Sequence, residues 1–520
     1  MRFNRQFRAS LCFGLILPAW LLSSALQQQP ETPQSRGRQI YVRGFGSAGS
    51  EIKAKLGQDG TEIPASVLPC SSCHGLDGQG KPEGGVFPPP IRWIDLTRSY
   101  QTKLPNNRKH PAYTESLLVR AVTLGIDSAG NTLDNAMPRY QLSQQNAKDL
   151  IAWIKMLGAS DPGLNDSSIE VGVFLPAESR FAAINSASRE SLDAYFDEVN
   201  HDGGVYGRRI VLHYGNASEP PATFDSAFNE FLSTAPPFAL LDSYIAGAEK
   251  TAGKILQENG LPLIGAVSLY PGPRDFNPNI FYLNSGVPEQ ALALAGYAEQ
   301  KIFSKSSQGV VLCGDKGPAR EVADSILQRH NKLRWRLDVL PDEVNAPDEL
   351  SARLKRSGTS VFLLLCSPAT MEQVLMAAGS QPDWDPIFLV PGSLATEPVF
   401  RAAATLKRGV VFAVSPSPSD TTSEGLAAYY RLGRVHGLRS DHLAARLSAL
   451  AEASILHEAL IRAGHELTRE KLITALESMY DFQTGFAGAI SFGPTRRIGN
   501  QKVTLTRLDN ATGHLQPLPE

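Results

Sequence analysis

The chain has 520 residues, too many for one ordinary hydrophobic core, so two to four globular units are expected. Its composition is that of a soluble protein, 42% hydrophobic and 20% charged, and a net charge of -2 leaves no basic footprint for nucleic acid. Beyond residue 30 no apolar stretch is long enough to span a bilayer.

Residues 1–25 differ from the rest. Arg2, Arg5 and Arg8 precede an apolar run from Leu11 to Leu22, and Ser23-Ser24-Ala25 supplies small residues for a cleavage site. This is a secretory signal peptide pattern. The alternative is an uncleaved membrane anchor over residues 11–25. Either way the mature chain lies outside the cytoplasm, with the periplasm as the expected compartment. Cys12 falls inside this leader, which leaves Cys70, Cys73, Cys313 and Cys366 in the mature chain.

The segment 37–45, with Gly37, Ile40 and Tyr41, predicts a short first helix. Cys70-Ser71-Ser72-Cys73-His74 follows and reads as a c-type haem attachment site. Two thiols three residues apart can each form a thioether to one haem vinyl group. The adjacent histidine is then held under the iron as proximal ligand. Only one such motif occurs, so one covalent haem c is expected. A zinc or redox role for Cys70 and Cys73 is the competing reading. Gly75, Asp77, Gly78 and Gly80 predict a tight loop, and Pro88-Pro89-Pro90 a stiff extended stretch. Leu117, Leu118, Val119 and Val122 form a helical face ending near Gly125. Residues 131–137 read as loop, and Ser143 is placed to cap a final helix carrying Leu150, Ile151, Ile154 and Leu157.

Residues 35–160 resemble a class I cytochrome c, a small all-α fold. The match rests on Cys70-Ser71-Ser72-Cys73-His74-Gly75, the Gly125-Ile126 pair, the Met137-Pro138 pair and the amphipathic helix through Trp153. The resemblance implies His74 and Met137 as the axial ligands of the iron. It also implies a proline carbonyl, from Pro89 or Pro90, that orients His74. Met156 reads as core filler. His110 is the alternative distal ligand and would give a haem of lower potential.

Residues 161–168, beginning Asp161-Pro162-Gly163, predict a linker. Beyond it, apolar strands at 169–175, 209–214, 238–241, 261–264, 309–313, 361–365, 387–390 and 409–413 alternate with helices. The first helix runs through Leu192, Tyr195, Phe196 and Val199. Such alternation argues for parallel sheets covered on both faces. The pattern restarts near residue 308, so two α/β lobes are expected, the second at about 305–415.

Residues 169–520 resemble the type 1 periplasmic binding proteins of the branched-chain amino acid and amide class, receptors of ABC transporters. The best match is the turn Asn200-His201-Asp202-Gly203-Gly204-Val205-Tyr206-Gly207-Arg208. Gly485 to Gly493 matches a glycine-punctuated strand near the family's C-terminus. The implied fold is two doubly wound lobes joined by three crossings, with ligand in the cleft outside the carboxyl ends of the strands. That rule points to Asp242, Ser243, Tyr244, Ala266, Val267 and Ser268 in the first lobe. In the second it points to Asp315, Lys316 and Ser367, with Gly392-Ser393 behind them. Hydroxyls and backbone N–H groups at helix starts suit a carboxylate or other polar group; plain helix capping is the alternative role. The loops Asp242-Ser243-Tyr244 and Gly314-Asp315-Lys316-Gly317 depart from the family's pattern, so an amino acid ligand does not carry over.

Cys313 and Cys366 end the first and third strands of the second lobe, neighbours in a 2-1-3-4-5 sheet. A disulfide there would be strained; buried free thiols are the alternative. No Ser-His-Asp, metalloprotease or phosphate-loop pattern occurs, and His436, His457 and His465 read as ordinary histidines on helical stretches. The sequence therefore points to a non-enzymatic one-electron carrier. Its second part binds a small polar ligand or docks a periplasmic redox partner, such as a dehydrogenase or another cytochrome. Two alternatives remain: a solute receptor for the membrane subunits of an ABC transporter, and a sensor in which ligand affinity and haem redox state are coupled.

Overall fold

A computed structural model describes residues 32–519 except 58, 99–101, 104–108, 158–160, 177–178, 218–223, 273–276, 305–307, 331–333, 341–346, 382, 416–419 and 510–513. The signal peptide expected over residues 1–25 lies outside the described residues.

Helices α1 (Pro33–Arg43), α2 (Cys70–His74), α3 (Trp93–Leu96), α4 (Glu115–Leu124) and α5 (Gln144–Ile154) surround the first core. Ser143 caps α5 by accepting the Asn146 N–H at 3.1 Å. Helices α1 and α5 cross very closely: a Cβ on Gly37 would stand 1.9 Å from the Asp149 carbonyl oxygen. Arg36 clamps the crossing with two hydrogen bonds to the buried Asp149 carboxylate, at 2.7 and 2.8 Å. Ile40, Tyr41, Leu118, Val122, Leu150, Ile151 and Ile154 fill the space between the helices.

The unit is not purely helical. Strands β1 (Lys53–Leu56), β2 (Thr61–Pro64) and β5 (Arg139–Tyr140) form an antiparallel sheet in the order β2-β1-β5. A separate two-stranded ladder joins β3 (Thr102–Lys103) and β4 (Lys109–His110). These strands are two to four residues long; only Ile52-Lys53-Ala54-Lys55-Leu56 alternates, with Ile52 and Ala54 buried, and that run is too short to stand out in the sequence.

The second unit holds two sheets. In lobe one, β6 (Ser168–Pro176), β7 (Arg209–Ala217), β8 (Ala239–Tyr244), β9 (Leu263–Val267) and β10 (Ile280–Asn284) are all parallel. In lobe two, β11 (Gly309–Cys313), β12 (Trp335–Val339), β13 (Val361–Leu365), β14 (Ile387–Pro391) and β15 (Val410–Val414) repeat the arrangement. Three late strands return: β16 (Ile498–Asn500) to lobe one, β17 (Thr504–Leu508) and β18 (Leu515–Pro517) to lobe two. The sheet orders are β7-β6-β8-β9-β10-β16 and β12-β11-β13-β14-β15-β17-β18. Both contain the 2-1-3-4-5 order expected from the sequence.

Lobe two is larger than 305–415. The helix Val287–Tyr297 belongs to it, because Val287, Ala291, Leu294 and Ala295 are buried in its core, and β17 and β18 extend its sheet. The helices Ser423–His436, Leu443–Ala463 and Arg469–Glu477 instead pack on lobe one, where Tyr429, Leu450, Leu456 and Leu476 share a core with Val171 and Phe196. The chain thus crosses between lobes after Asn284, after Val414 and after Asn500. The crossings are bonded to one another: Ser285 Oγ lies 2.8 Å from Ser415 Oγ, and Ser285 N–H donates to Asn500 O at 3.0 Å. Gly485 to Gly493 is not a strand. It is a turn-rich segment whose ladder contacts are the isolated bridges Phe482–Ile490 and Gly493–Arg496, and β16 begins only at Ile498.

Candidate haem site and inter-lobe cleft

Helix α2 is capped by Pro69 before it and Gly75 after it, whose φ of 75° ends the helical turn. Cys70 and Cys73 are one turn apart and therefore share a face. Neither is in a disulfide. The loop after α2 folds back over the helix end: Gly80 N–H donates to His74 O and Lys81 N–H to Cys73 O, each at 2.8 Å. That closes carbonyls that a short helix leaves open.

His74 is buried, and its Nδ1 lies 3.0 Å from the Pro89 carbonyl oxygen. A carbonyl only accepts, so Nδ1 carries the proton and donates. Nε2 then keeps its lone pair, and it has no hydrogen-bond partner among the described residues. Of the two prolines named from sequence, the structure selects Pro89. Burial lowers the His74 pKa, which favours the neutral imidazole that a metal requires. Burial pushes the Cys70 thiol up to about 12, so it stays protonated.

Met137 lies in the loop between α4 and β5, half-buried against the same core that Cys70 contacts. The Asp127 carboxylate shapes the first part of that loop by accepting from Ala129 N–H at 2.9 Å, Asn131 N–H at 2.8 Å and Asn131 Nδ2 at 3.0 Å. The Arg139 guanidinium holds the last part through the carbonyls of Leu133, Asp134 and Met137. Sequence reading missed Arg139, since a side chain that binds backbone carbonyls leaves no motif. His110 sits on β4; its Nδ1 lies 2.9 Å from Pro111 O and its ring stands edge-on to Tyr113. Two thiols on one face, a neutral imidazole held by Pro89 and a loop-borne thioether fit haem c. The zinc reading finds no donor set: among the described residues no three His, Cys, Asp or Glu side chains converge.

The haem-attachment loop touches lobe one. Asp77 pairs with Lys471 at 3.0 Å and Arg38 pairs with Glu470 at 3.1 Å. A groove between the two bodies is lined by Gly75, Asp77, Lys81, Arg462, Lys471 and Ser478. Arg469 secures the linker beside it. Its backbone N–H donates to Asp161, and its buried guanidinium donates to the carbonyls of Phe238, Asn259, Pro237 and Pro162. None of these contacts has a sequence signature, because they join residues hundreds of positions apart.

The residues expected in the inter-lobe cleft do not all face it. Asp242, at φ 42°, turns its carboxyl into lobe one, where it meets Ser188 and Glu452. Its Oδ2 finds no hydrogen-bond partner, nor does Oε2 of the buried Glu452. Burial raises both pKa values, that of Asp242 to about 6. Ser243 is fully buried and bonded to Phe174 N–H and Leu241 O at 3.0 and 2.9 Å, so it locks β8 to β6. Tyr244 is half-buried against Phe181, with ring centroids 5.9 Å apart. Ala266 is buried, while Val267 is exposed. Ser268 donates to Glu249 at 2.7 Å and accepts the Tyr270 N–H at 3.0 Å. In lobe two Asp315 and Lys316 are exposed, and Ser367 caps the helix Pro368–Gly379 through Thr370 N–H. Gln290 bridges behind them to Ser393 at 2.9 Å. The inward turn of Asp242 and Ser243 has one cause: the left-handed residue breaks the strand's alternation.

Cys313 and Cys366 end neighbouring strands as free thiols, with burial pushing them to about 11 and about 12. Among the described residues no helix is long and apolar enough to cross a membrane.

A small helical unit carrying a CxxCH helix, followed by two doubly wound lobes joined by three crossings, defines a cytochrome c domain joined to a periplasmic-binding-type domain. Residues 168–513 match the periplasmic binding protein family, so the chain belongs to that family; residues 65–158 match cytochrome c. A cytochrome c domain implies haem c binding. Among curated relatives, Leu/Ile/Val-binding protein homolog 2 of Brucella abortus (strain 2308) is 25% identical over 205 residues, 38% of this chain and 54% of that protein. The match thus spans about half the length of that relative. Leu/Ile/Val-binding protein BraC3 of Rhizobium johnstonii is 21% identical over 356 residues, 66% of this chain and 92% of that one. A solved structure of a branched chain amino acid ABC transporter from Thermus thermophilus with bound valine superposes with a TM-score of 0.54 at 18% identity, covering 68% of this chain and 96% of that one. A fatty acid ABC transporter substrate-binding protein from Thermomonospora curvata gives 0.55 at 18% identity, covering 69% and 93%. These likenesses show the fold.

Proposed function

We propose that the protein is a periplasmic carrier of one electron on a single covalent haem c, joined to a domain that binds a small polar ligand. The observation that carries this reading is the His74 Nδ1 hydrogen bond to Pro89 O, which leaves Nε2 prepared as a ligand. Haem c supplies a reversible one-electron iron couple. Cys70 and Cys73 would each add an S–H across a vinyl group, forming one C–S and one C–H bond with no external oxidant. His74 and Met137 would complete the axial set. A thioether ligand would favour Fe(II), and iron held by both His74 and Met137 would carry electrons rather than bind substrate, so the protein would act as carrier and binder and not as an enzyme. Its redox partner would be a periplasmic dehydrogenase or another cytochrome. Tyr244, Ser268, Asp315, Lys316 and Ser367 remain the cleft candidates, while Asp242, Ser243 and Ala266 act from behind it.

Haem that stays on the polypeptide through a denaturing gel, and is lost in the C70A/C73A double variant, supports the haem reading. Non-covalent haem in the wild type would overturn it. Stopped-flow mixing with dehydrogenases from the same periplasm then reads electron acceptance directly; no reduction by any of them sinks the carrier role. A second reading, an ABC-transporter receptor with an appended redox module, is favoured by relatives named Leu/Ile/Val-binding proteins. Mass spectrometry of whatever co-purifies, followed by calorimetric titration with that solute, valine and a fatty acid, separates the ligand classes.

A further inference from the structure

The part of the loop that carries Met137 is bound by the Arg139 side chain. Arg139 lies on β5, two residues beyond Met137. Its guanidinium donates to the Met137 carbonyl, to Leu133 O at 2.9 Å and to Asp134 O at 3.2 Å. Those acceptors span the last part of the loop, from Leu133 to the thioether-bearing residue.

Gly125 makes the room for this arrangement. A Cβ at that position would stand 1.7 Å from Arg139 Nε, and the residue is left-handed at φ 70°. The Gly125 carbonyl also accepts Leu133 N–H at 2.7 Å, which pins the start of the loop to the end of α4. On the opposite side Asn135 O accepts Gly57 N–H at 3.3 Å. The Arg139 fork therefore fills the angle between the α4 turn and the loop. Hydrogen bonds from a charged donor are roughly twice as strong as neutral ones. A planar fork also fixes direction, which a single flexible ammonium does not.

We infer that Arg139 is the positioning residue for Met137: it holds residues 133–137 closed so that the thioether stays in ligand position, and residue 125 is glycine because the Arg139 fork passes beside it. This rests on the proposed haem reading, with Met137 as distal ligand. It makes loop opening, and hence release of the thioether, rare while the fork is intact. The fixed positive charge also disfavours the more positive Fe(III) state, in the same direction as the thioether.

The test uses the full-length holoprotein as wild type, R139Q, R139K and M137A. In the oxidised state the sulfur-to-iron charge-transfer band reads the thioether bond, and the rate of cyanide binding reads how often the loop opens. R139Q should bind cyanide at least about tenfold faster, with a weakened band and a lower midpoint potential. R139K should restore part of the potential and little of the cyanide rate. A wild-type band, rate and potential in R139Q would overturn the role of Arg139. Should R139Q not accumulate with haem, R139K decides: a single ammonium nitrogen lacks the planar fork whose two nitrogens reach Met137 O and the Leu133 and Asp134 carbonyls, so an unchanged cyanide rate overturns the inference. A wild type without the band, or an M137A spectrum identical to wild type, overturns the ligand assignment beneath it instead.

Discussion

Asp77, three residues past His74, forms an ion pair at 3.0 Å with Lys471 on the lobe-one helix Arg469–Glu477. The haem-attachment loop is thus held against the binding domain, with Arg38–Glu470 as a second tie at 3.1 Å. Both pairs are partly shielded from water, and pairs of this kind contribute about 0.5–1 kcal/mol. The double variant E470A/K471A should therefore leave global stability within about 2 kcal/mol of wild type. Amide hydrogen exchange over residues 75–81 should quicken about fivefold or more, because the loop loses its docking partner. Unchanged exchange there would mean that the two pairs do not hold the domains together.

Arg469 predicts a larger loss. Its guanidinium serves the carbonyls of Phe238, Asn259, Pro237 and Pro162 from a buried position. In R469A these acceptors lose their donor where little water can replace it. Urea unfolding should show a destabilisation of about 3–5 kcal/mol. A loss below about 1 kcal/mol would show that water substitutes for the side chain.

The Asp242–Glu452 pair makes lobe one sensitive to alkali. In the unfolded chain Asp242 releases its proton near pH 4, whereas burial holds it to about pH 6 in the folded lobe. Between those values the native state binds more protons than the unfolded state, so stability falls as pH rises. The neighbours Ser188, Tyr214 and Glu452 include no cation that would reverse the sign. D242N should flatten the slope between about pH 4 and pH 6 and be more stable than wild type by about 3 kcal/mol at pH 7. Chemical denaturation at stepped pH checks this; a D242N slope equal to the wild-type slope would rule it out.

Gly265 serves the same site. It sits at φ 72°, and a Cβ there would stand 2.1 Å from the Glu452 carboxyl. G265A should cost about 2–4 kcal/mol in thermal or urea unfolding, and adding E452A should recover part of that loss. Strict additivity of the two changes would deny the contact.

Thiol counting tests the haem attachment. In a mature chain cut after Ala25 and carrying the proposed haem c, Cys70 and Cys73 would be consumed as thioethers, leaving Cys313 and Cys366. Denatured protein should then titrate two thiols. Native protein should titrate slowly, since Cys313 is buried and burial keeps both groups protonated. Four thiols after denaturation would contradict thioether formation, and none would reveal a disulfide.

Much of this architecture was readable in the chain. Val361–Leu365 and Gly309–Cys313 are unbroken apolar runs, as strands buried on both faces must be, and the parallel sheets followed from their alternation with helices, while the strand order came with the family resemblance. Trp335–Val339 was missed because Arg336 and Asp338 interrupt it at the sheet edge. Cys70, Cys73 and His74 are local in sequence, so their shared helix was legible; the choice of Pro89 over Pro90 depends on how the loop folds back. Asp242 was placed in the cleft by strand position alone, and one left-handed residue sent its carboxyl the other way. Glu452 did leave a trace, as the one charged residue in the run Leu447–Leu456, but its partner on β8 could not be known before the fold.

The hydroxyls of Ser285 and Ser415 sit 2.8 Å apart where the two lobes join, while the cytochrome, the linker and Arg469 all grip lobe one. A closing motion about that joint swings lobe two and leaves the haem-bearing body where it was. A redox protein seated across the cytochrome and lobe one would not be pried loose when the cleft shuts on a solute. Under the proposed function, electron exchange and solute capture would then run on separate clocks, neither waiting for the other to let go.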